Sequence, residues 1–531
     1  MSGRRRWVVA VVVMGLMGLG APVAVAQFNP VVEQQNYSKT EERQNIYTTP
    51  QYQALLAQIS TQNTAAALAI KASDPERQFY TDVCWNYGSG CAGDARLYDW
   101  GPKGYGIVRP VLWTARNGAT ISGHVWATRS GPAKRPAIVI TEGSVQADEA
   151  LYWYAAQALA KAGYVVLTWD AQGQGQSDTY GEAPDANEGV PAQSDGRPFF
   201  DGTEDALNFL LSTPAHPYEP VPSCNSGFRH NAKQDRRVHE GLDAAYNPFW
   251  KMINTSQIGL AGHSYGAAGV SYIGQWDKRV KAIVAWDNLG SPTAQGVSFN
   301  GMKVGEQGCV NSANRTNASI HTPALGMSAD YFLPPTPNTS EPDPTAKSTW
   351  SFNYSKAGVD TGEMIIRGGS HLDFSFIPFP PTYTPGPPFG ATLRGADMID
   401  WYTTAWFDKY LKRDCTADRR LLTQRWRNDG PEAWIDPNHD SNMFSFYYPS
   451  RLNFRLANGK RYDNENLRTN TSKLTYKDGY SGEYSYVYVD RSPDVGTTDF
   501  GACPASTRKT KAKTKTKPKS KAKSGRPTFT G

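Results

Sequence analysis

Gly262-His263-Ser264-Tyr265-Gly266 follows the apolar run Ile258–Ala261 and precedes the small residues Ala267, Ala268 and Gly269. A G-x-S-x-G pentad between a strand and a helix is a place where serine can act as a nucleophile. The sharp turn exposes Oγ, and the helix N-terminus favours negative charge that develops beside it. Such a serine also needs a base, an acid that orients the base, and two N–H donors for an oxyanion. The chain has eight histidines, and one of them, His371 in "EMIIRGGSHLDFS", directly follows an apolar strand in a glycine-softened loop. Two acids end apolar strands between Ser264 and His371: Asp330 in "PALGMSADYF" and Asp287 in "VKAIVAWDNLG". Asp330 follows the penultimate strand and is preferred. Asp287 is the alternative, and whichever of the two does not serve is read as a loop-capping residue. One oxyanion donor is the N–H of Tyr265, and the other falls in "EGSV" after the strand "PAIVIT", at Ser144 or else Val145. His263 is read as structural, because its place on the turn points it away from the serine.

These residues need a frame that brings strand ends together. From Pro136 onward, short apolar strands alternate with amphipathic helices. The strands are expected at Ala137–Thr141, Tyr164–Asp170, Ile258–Gly262, Val280–Asp287, Pro323–Ser328 and Glu363–Arg367. Helices are expected at Asp148–Ala162, Thr203–Leu211, Ala267–Trp276 and Asp397–Arg413. Continuous apolar strands between helices imply an α/β protein with a mostly parallel sheet buried on both faces, whose ligands sit beyond the strands' carboxyl ends. Before this pattern, Thr49-Pro50 offers an N-cap and an N1 proline for an alanine-rich helix to about Ala72. Val108–Ala115 and Thr120–Thr128 read as a hairpin closed at Asn117-Gly118 by a type I′ turn. Glu182–Asn254, Leu289–His321 and Leu333–Thr361 read as long excursions, the first containing a helix. Phe374–Tyr383, rich in proline and aromatics, is expected to wall a pocket. Phe444–Asp490 alternates aromatic and β-branched residues and implies a small β-rich appendage. The organisation is thus 1–26 leader, 27–102 N-terminal extension, 103–425 catalytic domain, 426–505 appendage and 506–531 tail.

The ends of the chain carry its unusual composition. Arg4-Arg5-Arg6, the apolar stretch Trp7–Leu19 and Ala24-Val25-Ala26 form a cleavable export signal, with the mature chain starting near Gln27. Export implies that the six cysteines, Cys84, Cys91, Cys224, Cys309, Cys415 and Cys503, form disulfides, with Cys84–Cys91 and Cys415–Cys503 as candidate pairs. The chain has no C-x-x-C or H-E-x-x-H, so neither a zinc site nor another metal is expected. Asp170–Ser177, "DAQGQGQS", lacks the third glycine of a dinucleotide fingerprint, so no cofactor is expected there and the segment is read as support for the site. The net charge of +6 is misleading. Once the three leader arginines and the ten cations of Arg508–Arg526 are set aside, 42 basic residues face 49 acidic ones. The lysine tail cannot bury a core and is expected to be disordered. It could hold the protein to anionic cell-envelope polymers, whereas a nucleic-acid partner is not expected for an exported chain.

The region Pro110–Leu422 resembles the α/β-hydrolase superfamily. "YVVLTWDAQGQGQSD" is similar to that family's D-x-R-G-x-G-x-S element with Gln172 in place of arginine, and "RVKAIVAWD", "TPALGMSAD" and "GGSHLDFS" match its later strands. The helix "WYTTAWFDKYLKRD" is similar to that of the secreted dienelactone-hydrolase, cutinase and polyester-hydrolase branch. Glu142-Gly143 stands where that family has His-Gly or Pro-Gly. The resemblance implies a Ser264…Asp330…His371 triad in the family's chain order. It also implies an exported serine hydrolase of carboxylic esters, small or polymeric, working without a cofactor. Two alternatives stay open: an acyltransferase, amidase or peptidase using the same triad, and a non-catalytic envelope-binding protein on this scaffold.

Overall fold

A computed structural model describes residues 31, 49–79, 92–102, 104, 106–144, 148–190, 197–292, 298–299, 302–303, 319–331, 349–375, 393–422, 450–465 and 467. Its centre is a ten-stranded sheet in the order β1-β2-β4-β3-β5-β6-β7-β8-β9-β10. The strands are β1 (Ile107–Thr114), β2 (Thr120–Ala127), β3 (Arg135–Thr141), β4 (Val165–Trp169), β5 (Ile253–His263), β6 (Val280–Trp286), β7 (Ala324–Tyr331), β8 (Thr361–Ser370), β9 (Arg451–Arg455) and β10 (Arg461–Asn464). The six strands from β4 to β8 in the sheet pair in parallel, and the pairs at either edge are antiparallel. The fold is therefore α/β, with a mostly parallel, mixed sheet flanked by helices.

Strand alternation sorts the core into two layers. Ile138, Ile140, Val166, Ala261, Val284 and Met327 face one cluster, which includes α2 (Trp153–Lys161) and α7 (Leu393–Phe407). Val139, Val165, Leu167, Leu260, Ile283 and Ala285 face the other, with α3 (Arg197–Leu211) and α5 (Tyr265–Trp276). Between those helices come α4 (Asn231–His239) and, later, α6 (Ser351–Lys356). No helix among the described residues is long and apolar enough to cross a membrane.

The N-terminal helix α1 (Pro50–Ser73) starts at the expected cap, with Thr49 Oγ1 accepting the Tyr52 N–H at 3.2 Å. The hairpin forms in the expected place, but its turn differs. Gly118 is at φ 85° while Asn117 is not at positive φ, and Ala115 pairs with Ala119. That is a three-residue loop with a left-handed glycine rather than the type I′ turn, which needs two left-handed residues. Two further departures matter. The strand expected to end at Ser328 runs to Tyr331, so Asp330 lies inside β7 and not beyond it. The strands β9 and β10, from the segment 426–505, join the central sheet beside β8 instead of building a sheet of their own. The leader, the lysine tail, Val145, residues 376–390 and Cys84, Cys91, Cys309 and Cys503 lie outside the described residues. Cys224 and Cys415 are described, and neither is a free thiol.

Candidate active site

Ser264 sits between β5 and α5 at φ 55°, ψ −119°, a backbone conformation that non-glycine residues rarely adopt. The residues around it enforce the turn. A Cβ on Gly262 would stand 2.4 Å from the Gly266 carbonyl oxygen, and one on Gly266 would stand 2.3 Å from that of Glu142. Both positions therefore need glycine for close backbone packing. The Ser264 N–H donates to Trp286 O at 3.0 Å, and the Ser264 carbonyl accepts the Ala268 N–H at 3.1 Å. Ser264 is part-exposed among buried neighbours, and the first N–H of α5 belongs to Tyr265. The Tyr265 ring turns inward and stacks on Phe199, with centroids 5.5 Å apart.

His371 directly follows β8. Between Ile366 and Ser370 the β7–β8 register shifts: Ile366 pairs with Ala329, but Ser370 pairs with Tyr331. The extra residues form a bulge, a device that re-aims the side chains beyond it. His371 Nδ1 then lies 2.5 Å from Asp287 Oδ2, with both side chains buried. The carboxylate is held from its other oxygen as well, because Asp287 Oδ1 accepts the Ala329 N–H at 3.3 Å. The Asp287 N–H donates to Met327 O at 2.7 Å, and its φ of 46° turns the chain at the end of β6. The preference for Asp330 is thus corrected: the carboxylate that holds His371 belongs to Asp287. Asp330 is buried within β7, where its side chain cannot be directed as a loop residue would be.

His263 is closer to the site than its reading as a bystander implied. Its ring centroid lies 4.4 Å from that of His371, and Phe374 stacks on it at 6.0 Å. His263 Nδ1 is 2.8 Å from the Tyr152 hydroxyl, which also accepts the Gly143 N–H at 2.9 Å. The phenol oxygen thus bridges Gly143 and His263. Burial, with His371 next to it, holds the His263 pKa well below the usual histidine value, so the ring is neutral.

Gly143 and Ser144 close the site on the β3 side. A Cβ on Gly143 would meet Ser264 Cβ and His263 Nδ1, each at 3.0 Å, so this loop lies directly against the serine. Behind it, Glu142 Oε1 accepts the Ala171 N–H at 2.6 Å and the Gln174 amide at 2.7 Å. Burial and the neighbouring Asp170 push the Glu142 carboxyl well above its ordinary range. Asp170 accepts the N–H groups of Glu149 and Gln176. Gln172 receives Asn117 and Arg197 on its side-chain carbonyl. "DAQGQGQS" thus supports the loop that faces Ser264. Sequence reasoning missed Tyr152. It lies inside the expected helix Asp148–Ala162, and nothing local distinguishes it from a core tyrosine.

Among the described residues no cluster of His, Cys, Asp and Glu could hold a metal ion. The chain matches no protein-family model and no curated protein.

Proposed function

We propose that the protein is an exported serine hydrolase of carboxylic esters with an α/β-hydrolase fold, using Ser264, His371 and Asp287. The observation that carries this reading is the pairing of a positive-φ serine at the β5–α5 turn with a histidine whose Nδ1 is held by a buried carboxylate. With Nδ1 bonded to Asp287, the role of base falls to His371 Nε2, the nitrogen that must turn to the nucleophile. The Ser264 hydroxyl attacks the acyl carbon as His371 Nε2 takes its proton. Asp287 fixes the tautomer and stabilises the imidazolium. The N–H groups of Tyr265 and Ser144 receive the oxyanion. The tetrahedral intermediate collapses as His371 returns its proton to the leaving alcohol. Water, deprotonated by His371, then attacks the acyl-Ser264 ester and frees the acid.

Export and envelope attachment belong to the same proposal. They rest on the Arg4–Ala26 leader pattern and on the lysine tail. Salt-dependent release from cells, lost on truncation after Ser506, is the result expected of such a tether, and release that truncation leaves unchanged would refute it.

The deciding experiment compares the whole chain with Ser264→Ala on short p-nitrophenyl esters and with a fluorophosphonate probe. Turnover and labelling are expected in the former and neither in the latter. Ester turnover that survives Ser264→Ala sinks the assignment.

A further inference from the structure

The Gly143 residue is gripped on both sides. Its N–H goes to the Tyr152 hydroxyl at 2.9 Å, and its carbonyl accepts the Gln174 side-chain amide at 2.8 Å. The carbonyl of Gly143 and the N–H of Ser144 belong to one planar trans peptide and point in opposite directions, so fixing the first fixes the second. The grip is anchored to the rest of the site at both ends. Tyr152 is bonded to His263, the residue before Ser264, and its ring lies parallel to Trp286, the residue before Asp287, at 6.4 Å and 4°. Gln174 is bonded to Glu142, and Tyr152, Gln174 and Glu142 are all buried.

We propose that Tyr152 and Gln174 are positioning residues that clamp Gly143 from its two sides and thereby set the direction of the Ser144 N–H beside Ser264. The proposal rests on the esterase reading of Ser264 and extends it to residues that touch no substrate. The clamp explains how Glu142-Gly143 serves where the resembling family has His-Gly or Pro-Gly. The Glu142 carboxyl accepts one Gln174 N–H, while Gly143 O accepts the other. Tyr152 joins the loop to the turn that carries the nucleophile. An oxyanion donor is occupied only as charge develops, so misaiming it lowers kcat and leaves KM nearly unchanged.

The test uses the whole chain carrying Gln174→Met or Tyr152→Phe. The readouts are kcat and KM on p-nitrophenyl butyrate, the rate and endpoint of fluorophosphonate labelling, and Gly143 amide exchange in [15N]glycine-labelled protein. Gln174→Met is expected to lower kcat and labelling rate by up to about 10²–10³-fold, the cost of one oxyanion donor. Its KM and labelling endpoint should stay near wild type. Tyr152→Phe, which loses the hydroxyl's bonds to Gly143 and His263, is expected to lower kcat at least about tenfold and to speed Gly143 exchange by a similar factor. Unchanged kcat in both variants, or a fall explained by fewer titratable serines, overturns the clamp. If the wild type neither turns over esters nor labels, the esterase reading fails by itself. Gly143 exchange then still decides the clamp: faster exchange in Tyr152→Phe upholds it, and unchanged exchange overturns it.

Discussion

His371 Nδ1 and Asp287 Oδ2 lie 2.5 Å apart, and they come from strands that are not neighbours: Asp287 follows β6 and His371 follows β8, with β7 between those strands. The intervening strand takes part, because Ala329 of β7 donates its N–H to the other Asp287 oxygen. Three adjacent strands thus fix one imidazole.

This arrangement separates the two acids experimentally. Asp287→Asn keeps the shape but offers His371 an amide in place of a carboxylate, which favours the wrong tautomer. A loss in kcat of about 10⁴-fold is expected, the size seen when a triad aspartate is replaced by asparagine. Asp330→Asn should keep most of the wild-type kcat. Steady-state kinetics on p-nitrophenyl esters compares them, and a larger kcat loss in Asp330→Asn would restore Asp330 as the acid.

Much of the frame was legible because it is local. Thr49-Pro50 announces α1 through one cap, and the alternation Ala137-Ile138-Val139-Ile140 announces a strand buried on both faces. Ser264 was legible for the same reason: its turn depends on glycines two residues to either side. The choice of acid was not legible, because it turns on the β8 bulge and on how far β7 continues past Ser328. "SADY" has too little apolar character to extend the strand on its own, and pairing with β8 extends it instead. Tyr152 and Gln174 were hidden for a related reason. Their roles arise from contacts with Gly143 and His263, from 9 to 111 residues away along the chain.

A second carboxyl lies close to Asp287 and gives a pH signature. Glu363, buried on β8 and hydrogen-bonded to Ser328, has its pKa pushed up to about 7, mainly by burial and further by the charge of Asp287. Its folded pKa is above its unfolded one. The neutral form therefore suits the fold, and stability is full below about pH 4.5 and falls as pH rises through about 7. At 1.36 kcal/mol per pKa unit the loss is about 3 kcal/mol. Glu363→Gln should match the wild type near pH 4.5 and exceed it in stability near pH 8. Denaturant unfolding at both values checks this, and a gain that did not grow with pH would exclude Glu363 as its source.

The N-terminal extension is fastened to the body by a buried guanidinium. Arg237 of α4 is fully buried and bonds Asp74, which caps α1, at 2.7 Å, and Asp243 at 2.8 Å. Removing one partner of a buried ion pair strands the others, at a cost of about 3–5 kcal/mol. Arg237→Ala should lose that much stability in chemical denaturation and make the region of residues 50–79 more open to protease. Asp74→Asn should lose less, because Asp243 still neutralises the arginine. Negligible losses in both variants would show that α1 is held by its apolar face alone.

The turn around Ser264 predicts a graded response to added methyl groups. A Cβ at Gly266 would meet the carbonyl oxygens of Glu142 at 2.3 Å and Thr141 at 2.4 Å, both of them backbone atoms at the end of β3. These can retreat only if the loop that carries Ser144 moves with them. Gly266→Ala should therefore cost about 1–3 kcal/mol, as overpacking does, and should also lower kcat through the displaced oxyanion loop. At Gly143 the new methyl would meet Ser264 Cβ and His263 Nδ1 at 3.0 Å and the His263 carbonyl oxygen at 3.2 Å, all farther than the contacts at Gly266. A shift of a few tenths of an ångström relieves that contact, so Gly143→Ala should cost less stability. Its effect should fall on Ser264 itself, as slower fluorophosphonate labelling. Thermal unfolding and labelling kinetics on both variants order them. Equal unfolding temperatures for Gly266→Ala and wild type would mean that the β3 loop is not packed against the turn.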